Sequence, residues 1–343
     1  MNKDIHYKTL LYSLDEKLPL SQLKKETKSD PEKTPTPTAI AQLTERMENH
    51  HITGITAEMP NYPEKFSQTK SSPYLFYAMG NLSLLQRKIL GIVGPREMSP
   101  YADQIMEAFF QQTKNADIVT VSGLANGVDH KCHQLSLQYQ FPTIAILGGG
   151  LRHYLKSYKR NLIHSIVENG GLVISEFKLD FVPTTRSFPQ RNRLIAGLSD
   201  LLFLPEAREG SGSLITADFA LQMNKEIFVV PNQLFSPNGK GSNALLSTGK
   251  VKMLNNFDQI LQHFKKKDGS SHNPQIAEER FIEKNLSPTE QQVLQRIKQF
   301  PNQELSLRST KVRKEFGEIL SQLTLLEMKG IIKQSSPGYY AIK

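Results

Sequence analysis

From Lys88 onward the chain alternates short apolar runs with helix-forming stretches. Residues 88–93 (KILGIV), 117–122 (DIVTVS), 143–148 (TIAILG), 171–176 (GLVISE), 200–206 (DLLFLPE) and 226–231 (EIFVVP) concentrate Val, Ile, Leu and Phe over short lengths, the pattern of strands buried on both faces. Between them, Tyr101–Thr113, Asp129–Tyr139, Tyr158–Glu168 and Leu214–Met223 carry amphipathic or helix-forming sequence, as the crossovers of a parallel sheet require. This rhythm predicts an α/β fold with a doubly wound, mainly parallel sheet. A last helix is expected over Asn256–Phe264.

The flanks differ in texture. Residues 1–50 are a polar N-terminal segment, and within it Ser29–Thr38 alternates proline with threonine and charge, a composition too poor in apolar surface to order itself. It is read as a linker, with a helix before it and another expected over Ala39–Asn49. The α/β domain is assigned to 51–264. A charged and glycine-serine stretch, KKKDGSSHNPQ, closes it, and 265–285 is read as a linker. Ser287-Pro288-Thr289-Glu290 then supplies an N-cap, a first-turn proline and a capping glutamate. In the domain 286–343 that it opens, Phe316, Ile319, Leu320, Leu323 and Leu326 share one helical face, Gly330 stops that helix, and IIKQSSPGYYAI follows. Helices ahead of a hairpin predict a small C-terminal winged helix.

Composition narrows the chemistry. With 42 Lys and Arg against 33 Asp and Glu, the 343-residue chain carries a net charge of +9, which favours polyanionic partners, nucleic acid first. The single cysteine, Cys132, cannot form an intrachain disulfide or a thiolate metal cluster. No apolar run is long enough for a membrane span, and charges interrupt the opening residues where a signal peptide would be apolar. A cytoplasmic protein without membrane contact is expected.

Ligands of open α/β sheets bind beyond the carboxyl ends of the strands, and there this chain places glycine and arginine. The first strand leads into Gly94-Pro95-Arg96, with Ser99 and Pro100 able to cap a helix. The second leads into Ser122-Gly123-Leu124-Ala125-Asn126-Gly127-Val128-Asp129, and the third into Gly148-Gly149-Gly150. The fifth is followed by Gly210-Ser211-Gly212-Ser213 at the start of a helix containing Thr216, where free amides and the helix dipole suit a phosphate. Glycine-rich turns of this kind also let a helix pack closely on its strand. Between the fourth and fifth strands, Phe188-Pro189-Gln190-Arg191-Asn192-Arg193 precedes an apolar helix. Guanidinium forks match phosphate oxygens, so Arg96, Arg191 and Arg193 are expected around one rim with the 210–213 amides. Phe188 is open to two roles, base stacking or core. Neither G-x-G-x-x-G after the first strand nor a G-x-x-x-x-G-K-[ST] loop is present, so no nicotinamide or nucleotide cofactor is expected. His130 and His133 beside Cys132 lack the further ligands that a metal needs.

At these loops the chain resembles the DprA/Smf family, the DNA-processing proteins of bacterial natural transformation. Gly94-Pro95-Arg96, Ser122-Gly123 with Gly127, Asp129 and His133, Ser175-Glu176, Phe188–Arg193 with Ile195-Ala196-Gly197, Ser211–Ala217, and Pro231 with Ser242-Asn243 carry the likeness. It spans roughly Ile52 to Phe264 and, more weakly, the tail from Leu286. The resemblance implies an extended Rossmann-like domain that binds single-stranded DNA, forms a homodimer and loads the RecA recombinase, without enzymatic activity. It implies a strand-binding set of Gly94, Arg96, Ser122, Gly123, Gly127, Arg191, Asn192, Arg193, Gly210, Ser211, Gly212, Ser213 and Thr216. Phe188, Lys156, Lys159 and Arg160 are further candidate contacts. Pro95 stands where the family has serine or threonine, and LRHYLKSYKRN after Gly150 replaces its Y-P-x-x-N.

Two other functions remain open from sequence. A nucleotide phosphoribohydrolase of the Lonely-guy type would use Glu176, Glu206 or Glu209 as acid or base. The tail could instead read duplex DNA or contact a protein through Lys314–Lys329, whose Glu315, Glu318 and Glu327 oppose groove entry.

Overall fold

The computed structural model describes residues 47–60, 62–67 and 72–267, with Thr38, Glu45 and the backbone of 332–336 and 339–342. The chain divides into two units, residues 1–267 and 268–343. The expected linkers and the helices of the C-terminal domain lie outside the described residues. Of that second unit the structure gives a hairpin, Ile332–Ser336 against Tyr339–Ile342, antiparallel and irregular between Gln334 and Ser336.

Among the described residues the first unit is built on nine strands: β1 (Thr53–Thr56), β2 (Leu75–Gly80), β3 (Ile89–Ile92), β4 (Val119–Ser122), β5 (Thr143–Ile146), β6 (Leu172–Ser175), β7 (Leu201–Leu204), β8 (Glu226–Val229) and β9 (Lys252–Met253). Their order across the sheet is β1-β2-β6-β5-β4-β3-β7-β8-β9. Every pairing from β6 to β9 is parallel, whereas β2 runs antiparallel to both β1 and β6. The six apolar runs all form strands, each ending before the glycine, proline or acid that opens its turn.

Helices cover both faces, as a doubly wound sheet requires. On one face lie α1 (Glu64–Ser67), which brings Phe66, α6 (Ser187–Leu198) and α7 (Gly212–Gln222). The other face carries α2 (Pro100–Thr113), α3 (Val128–Gln138), α4 (Leu151–Leu155), α5 (Arg160–Glu168) and α9 (Asp258–Lys267). The short α8 (Lys240–Ser247) follows β8. Side chains alternate between the faces along each strand: Ile89 joins the α6–α7 layer, while Leu90 and Ile92 join the aromatic layer of Phe109, Phe110 and Phe203. Cys132 and His133 are fully buried in α3, and the His133 ring shares a 2.8 Å hydrogen bond with the Thr143 hydroxyl. Burial holds that imidazole down at about 3, hence neutral. Among the described residues no helix is long and apolar enough to cross a membrane.

Strand order sets the site. From β3 the chain winds outward through β4, β5 and β6, then returns to the opposite side of β3 for β7 and β8. Loops after β3 and β7 therefore diverge in opposite directions and leave a crevice at the reversal.

Candidate nucleic-acid interface

A cleft of about 470 Å³ occupies that crevice, lined by Gly94–Glu97 after β3, Arg208–Ser213 after β7, and the first turns of α6. Glu206 braces its base. This fully buried carboxylate accepts the amide and hydroxyl of Ser99, at 3.0 and 2.6 Å, and the Asn232 amide nitrogen at 3.2 Å. Ser99 in turn caps α2 by accepting the Ala102 N–H, with Pro100 in the first helical turn.

One wall carries Arg96. Its guanidinium is exposed and sits 4.8 Å from the centroid of the Phe188 ring, a cation–π contact that holds the long side chain in place and leaves its donors to solvent. The ring lies half-buried in the cleft wall, where a side chain on Gly148 would overlap it.

The opposite wall is the start of α7. Gly210 adopts φ +70°, a left-handed conformation that favours glycine. Ser211 is the N-cap, accepting the Ser213 N–H at 3.3 Å, and the two hydroxyls lie 2.7 Å apart. A Cβ on Gly210 or Gly212 would meet nothing within 4 Å, so an anion can approach the helix start down to its backbone. The dipole of this eleven-residue helix favours negative charge there. Asn192 secures the wall by donating to the Gly212 carbonyl at 3.2 Å, while Ser213 and Thr216 line the cleft as largely buried groups.

Arg191 forms the floor. Buried to 3% exposure, it donates to the Gly123 and Ile146 carbonyls and, through Nε, to Asn192 Oδ1 at 3.0 Å. Its counter-ion is Asp129, which also accepts the Gly123 and Ala125 amides. Burial raises the Asp129 carboxyl and lowers the Arg191 guanidinium, and each charge opposes the other's shift. The floor is thus a neutralised pair, Arg208 at the mouth is paired with Glu97, and the outward positive potential comes from Arg96 and the α7 dipole.

The expected single rim of three arginines is corrected by helix register. Sequence placed Arg191 and Arg193 ahead of a helix, but α6 begins at Ser187 and contains both. Two residues apart on a helix, they point about 200° from each other. Arg193 turns from the cleft and pairs with Glu176 at the end of β6. That carboxyl is pushed up to about 7, burial outweighing the attraction of Arg193.

The other candidates serve the fold around the cleft. Ser122 is fully buried and donates to the Ile92 carbonyl at 2.6 Å. A Cβ on Gly123 would overlap the Arg191 guanidinium, one on Gly94 would overlap Val128, and one on Gly127 (φ +74°) would overlap the Pro95 carbonyl. Lys156 faces Asp180 at 3.5 Å, and Lys159 is buried against the Leu124 carbonyl and Asn126 Oδ1. Arg160 lies exposed beside His164. Among the described residues none of these three lines the cleft. Of the proposed hydrolase glutamates, Glu206 is saturated and Glu176 faces Arg193, leaving Glu209 alone at the cleft.

Arg208 was missed. It stands two residues ahead of Gly210, lines the cleft, donates to Asn238 Oδ1 at 2.6 Å and pairs with Glu97 at 2.9 Å across the mouth. Its position just after a strand's carboxyl end was the available signal, overshadowed by the glycines that follow.

Comparison with known proteins places this geometry. The family model of DNA recombination-mediator protein A matches residues 53–265. Protein Smf of Escherichia coli is 30% identical over 306 residues, 86% of this chain and 78% of that protein. The X-ray structure of DNA processing protein A from Streptococcus pneumoniae superposes with a TM-score of 0.58 at 28% identity, covering 76% of this chain and 93% of that one. DNA processing protein A from Helicobacter pylori, described for its unique single-stranded DNA binding mode, gives 0.56 at 30% identity over 64% of this chain and 98% of that one. A Rossmann-like sheet with its cleft at the strand reversal and a family match over the whole α/β unit lead to one conclusion: the chain belongs to the DNA recombination-mediator protein A family.

Proposed function

We propose that the domain of residues 51–264 grips the sugar-phosphate backbone of single-stranded DNA in the switch-point cleft. The observation that carries this reading is the opposition of Arg96 and the open start of α7 across one cleft, with the Phe188 ring between the loops. Arg96 and the α7 amides hold phosphates, and Phe188 offers a face to a base irrespective of sequence. Binding is then the function, and the cytoplasmic protein acts as a homodimer that protects incoming strands and hands them to a RecA-type recombinase during natural transformation. The relationship to DNA processing protein A supports this assignment.

A competition titration of single-stranded, duplex and mononucleotide ligands at two salt concentrations tests it. Single strands should compete best, with log affinity falling linearly in log salt. Arg96→Ala should weaken binding and flatten that slope by about 0.7 for each phosphate that the guanidinium neutralises. Preference for the mononucleotide, or affinity independent of salt, would overturn the reading.

A further inference from the structure

Beside the cleft, at the same carboxyl edge of the sheet, the loop from β8 to α8 holds two large apolar side chains out to solvent. Leu234 is 75% and Phe235 91% exposed. Polar clamps hold the base of this loop. Asn232 and Asn243 exchange two hydrogen bonds of 3.0 Å, from the Asn232 N–H to Asn243 Oδ1 and from Asn243 Nδ2 to the Asn232 carbonyl. The Ser236 N–H closes a turn onto the Gln233 carbonyl at 3.1 Å. Asn238, three residues beyond Phe235, accepts the cleft-lining Arg208 at 2.6 Å, and the Ser242 hydroxyl accepts the Ala207 N–H at 2.7 Å. The apolar tip is therefore tied directly to the wall of the cleft.

Its surroundings choose the occupant. From Ile227 to Phe257 the chain has no Asp or Glu; Lys240 and Lys250 are exposed there, while Lys252 pairs with Glu226 just ahead of the segment. An exposed aromatic in an acid-free, lysine-bearing segment suits a polyanion that carries flat apolar faces, which is a single nucleic-acid strand. We propose that Leu234 and Phe235 form a second base-stacking station, receiving nucleobases of the strand as it leaves the cleft past Arg208. This inference rests on the strand-binding reading of the cleft and extends its footprint beyond Phe188.

The test titrates the full chain with oligothymidylates of about four and about twelve nucleotides. Phe235→Ala should weaken the longer strand about tenfold, leave the shorter within about twofold, and keep the salt slope unchanged, because no charge is removed. Phe235→Tyr should restore the longer strand. The side chain is almost wholly exposed, so the variant folds as the parent does. Unchanged affinity for the longer strand overturns the inference, and so does an equal loss at both lengths. A change in sedimentation with unchanged DNA affinity overturns it as well, assigning the ring to contact between copies. Arg96→Ala separates the two readings: if it weakens both lengths while Phe235→Ala weakens neither, only the second station fails. If Arg96→Ala has no effect, or neither strand binds, the cleft reading fails and takes this one with it.

Discussion

The turns after β4 and β7 look alike in sequence, each running from a buried strand through two glycines into a helix, yet they are put to opposite uses. After β4, the space at Gly123 is filled by the Arg191 guanidinium and that at Gly127 by the Pro95 carbonyl, which also accepts the Val128 N–H at 3.2 Å. After β7, nothing stands within 4 Å of a Cβ on Gly210 or Gly212. Glycine in a sequence marks a missing side chain. Whether protein or ligand fills the gap is decided by loops from other strands, here the β3 loop and the first turns of α6. One helix start is thus plugged by the protein's own carbonyl and the other is left open.

Emptying the space that the Arg191 guanidinium fills at Gly123 should have the largest effect. Arg191→Leu leaves Asp129 buried among the Gly123 and Ala125 amides without its counter-ion, and breaking such a pair costs about 3–5 kcal/mol. Urea unfolding should report this loss, and adding Asp129→Asn should recover a substantial part of it. The Asp129 carboxyl, already raised by burial, rises further without the guanidinium. The folded variant then holds a proton that the unfolded chain gives up, so its stability falls as pH climbs from the ordinary aspartate range toward the folded pKa. Unchanged stability would show that Arg191 does not hold the turn.

Two single-methyl substitutions sharpen the contrast. Gly123→Ala pushes a methyl into the guanidinium and should cost about 1–3 kcal/mol by overpacking. Gly212→Ala meets open space, so its stability should stay within about 0.5 kcal/mol. Its methyl stands in the path of an anion, and single-strand affinity should fall about tenfold, the worth of one hydrogen bond to a charged group. Thermal unfolding and titration of both variants provide the check. If the two behave alike, the turns are not functionally distinct.

The parts legible in sequence are those that one dimension can carry. Six strands announce themselves because burial on both faces makes each an uninterrupted apolar run. The antiparallel β1 and β2 stand outside the strand–helix alternation, and nothing local marks Leu75–Gly80 as joining β6 on the far side of the sheet. The cleft walls at Arg96 and 210–213 were readable because strand ends locate ligand sites. Arg193 was misplaced because Ser187–Arg193 looks like a polar loop, and Pro189 hides a helix in whose first turn a proline is tolerated. With α6 starting at Arg193, both arginines could face one rim; with six more residues of helix, they cannot.

The smallest effect concerns that displaced arginine and asks whether the far side of α6 belongs to the fold or to the strand. Glu176 sits at 5% exposure with its carboxyl pushed up to about 7, burial raising it more than Arg193 lowers it. Unfolded, it titrates near 4.3. Between these values the folded protein binds a proton that the unfolded chain has released, so the contribution of this carboxyl to stability is greatest below about pH 4, declines as pH rises toward 7, and levels off above. Glu176→Gln keeps the shape and cannot ionise. It should flatten this part of the stability profile, measured by urea midpoints from pH 4.5 to 8. Single-strand affinity at pH 7 should stay within about twofold, since Arg193 faces Glu176 and not the cleft. An affinity loss comparable to that of Arg96→Ala would place Arg193 among the strand contacts after all, and the division between the two faces of α6 would fail.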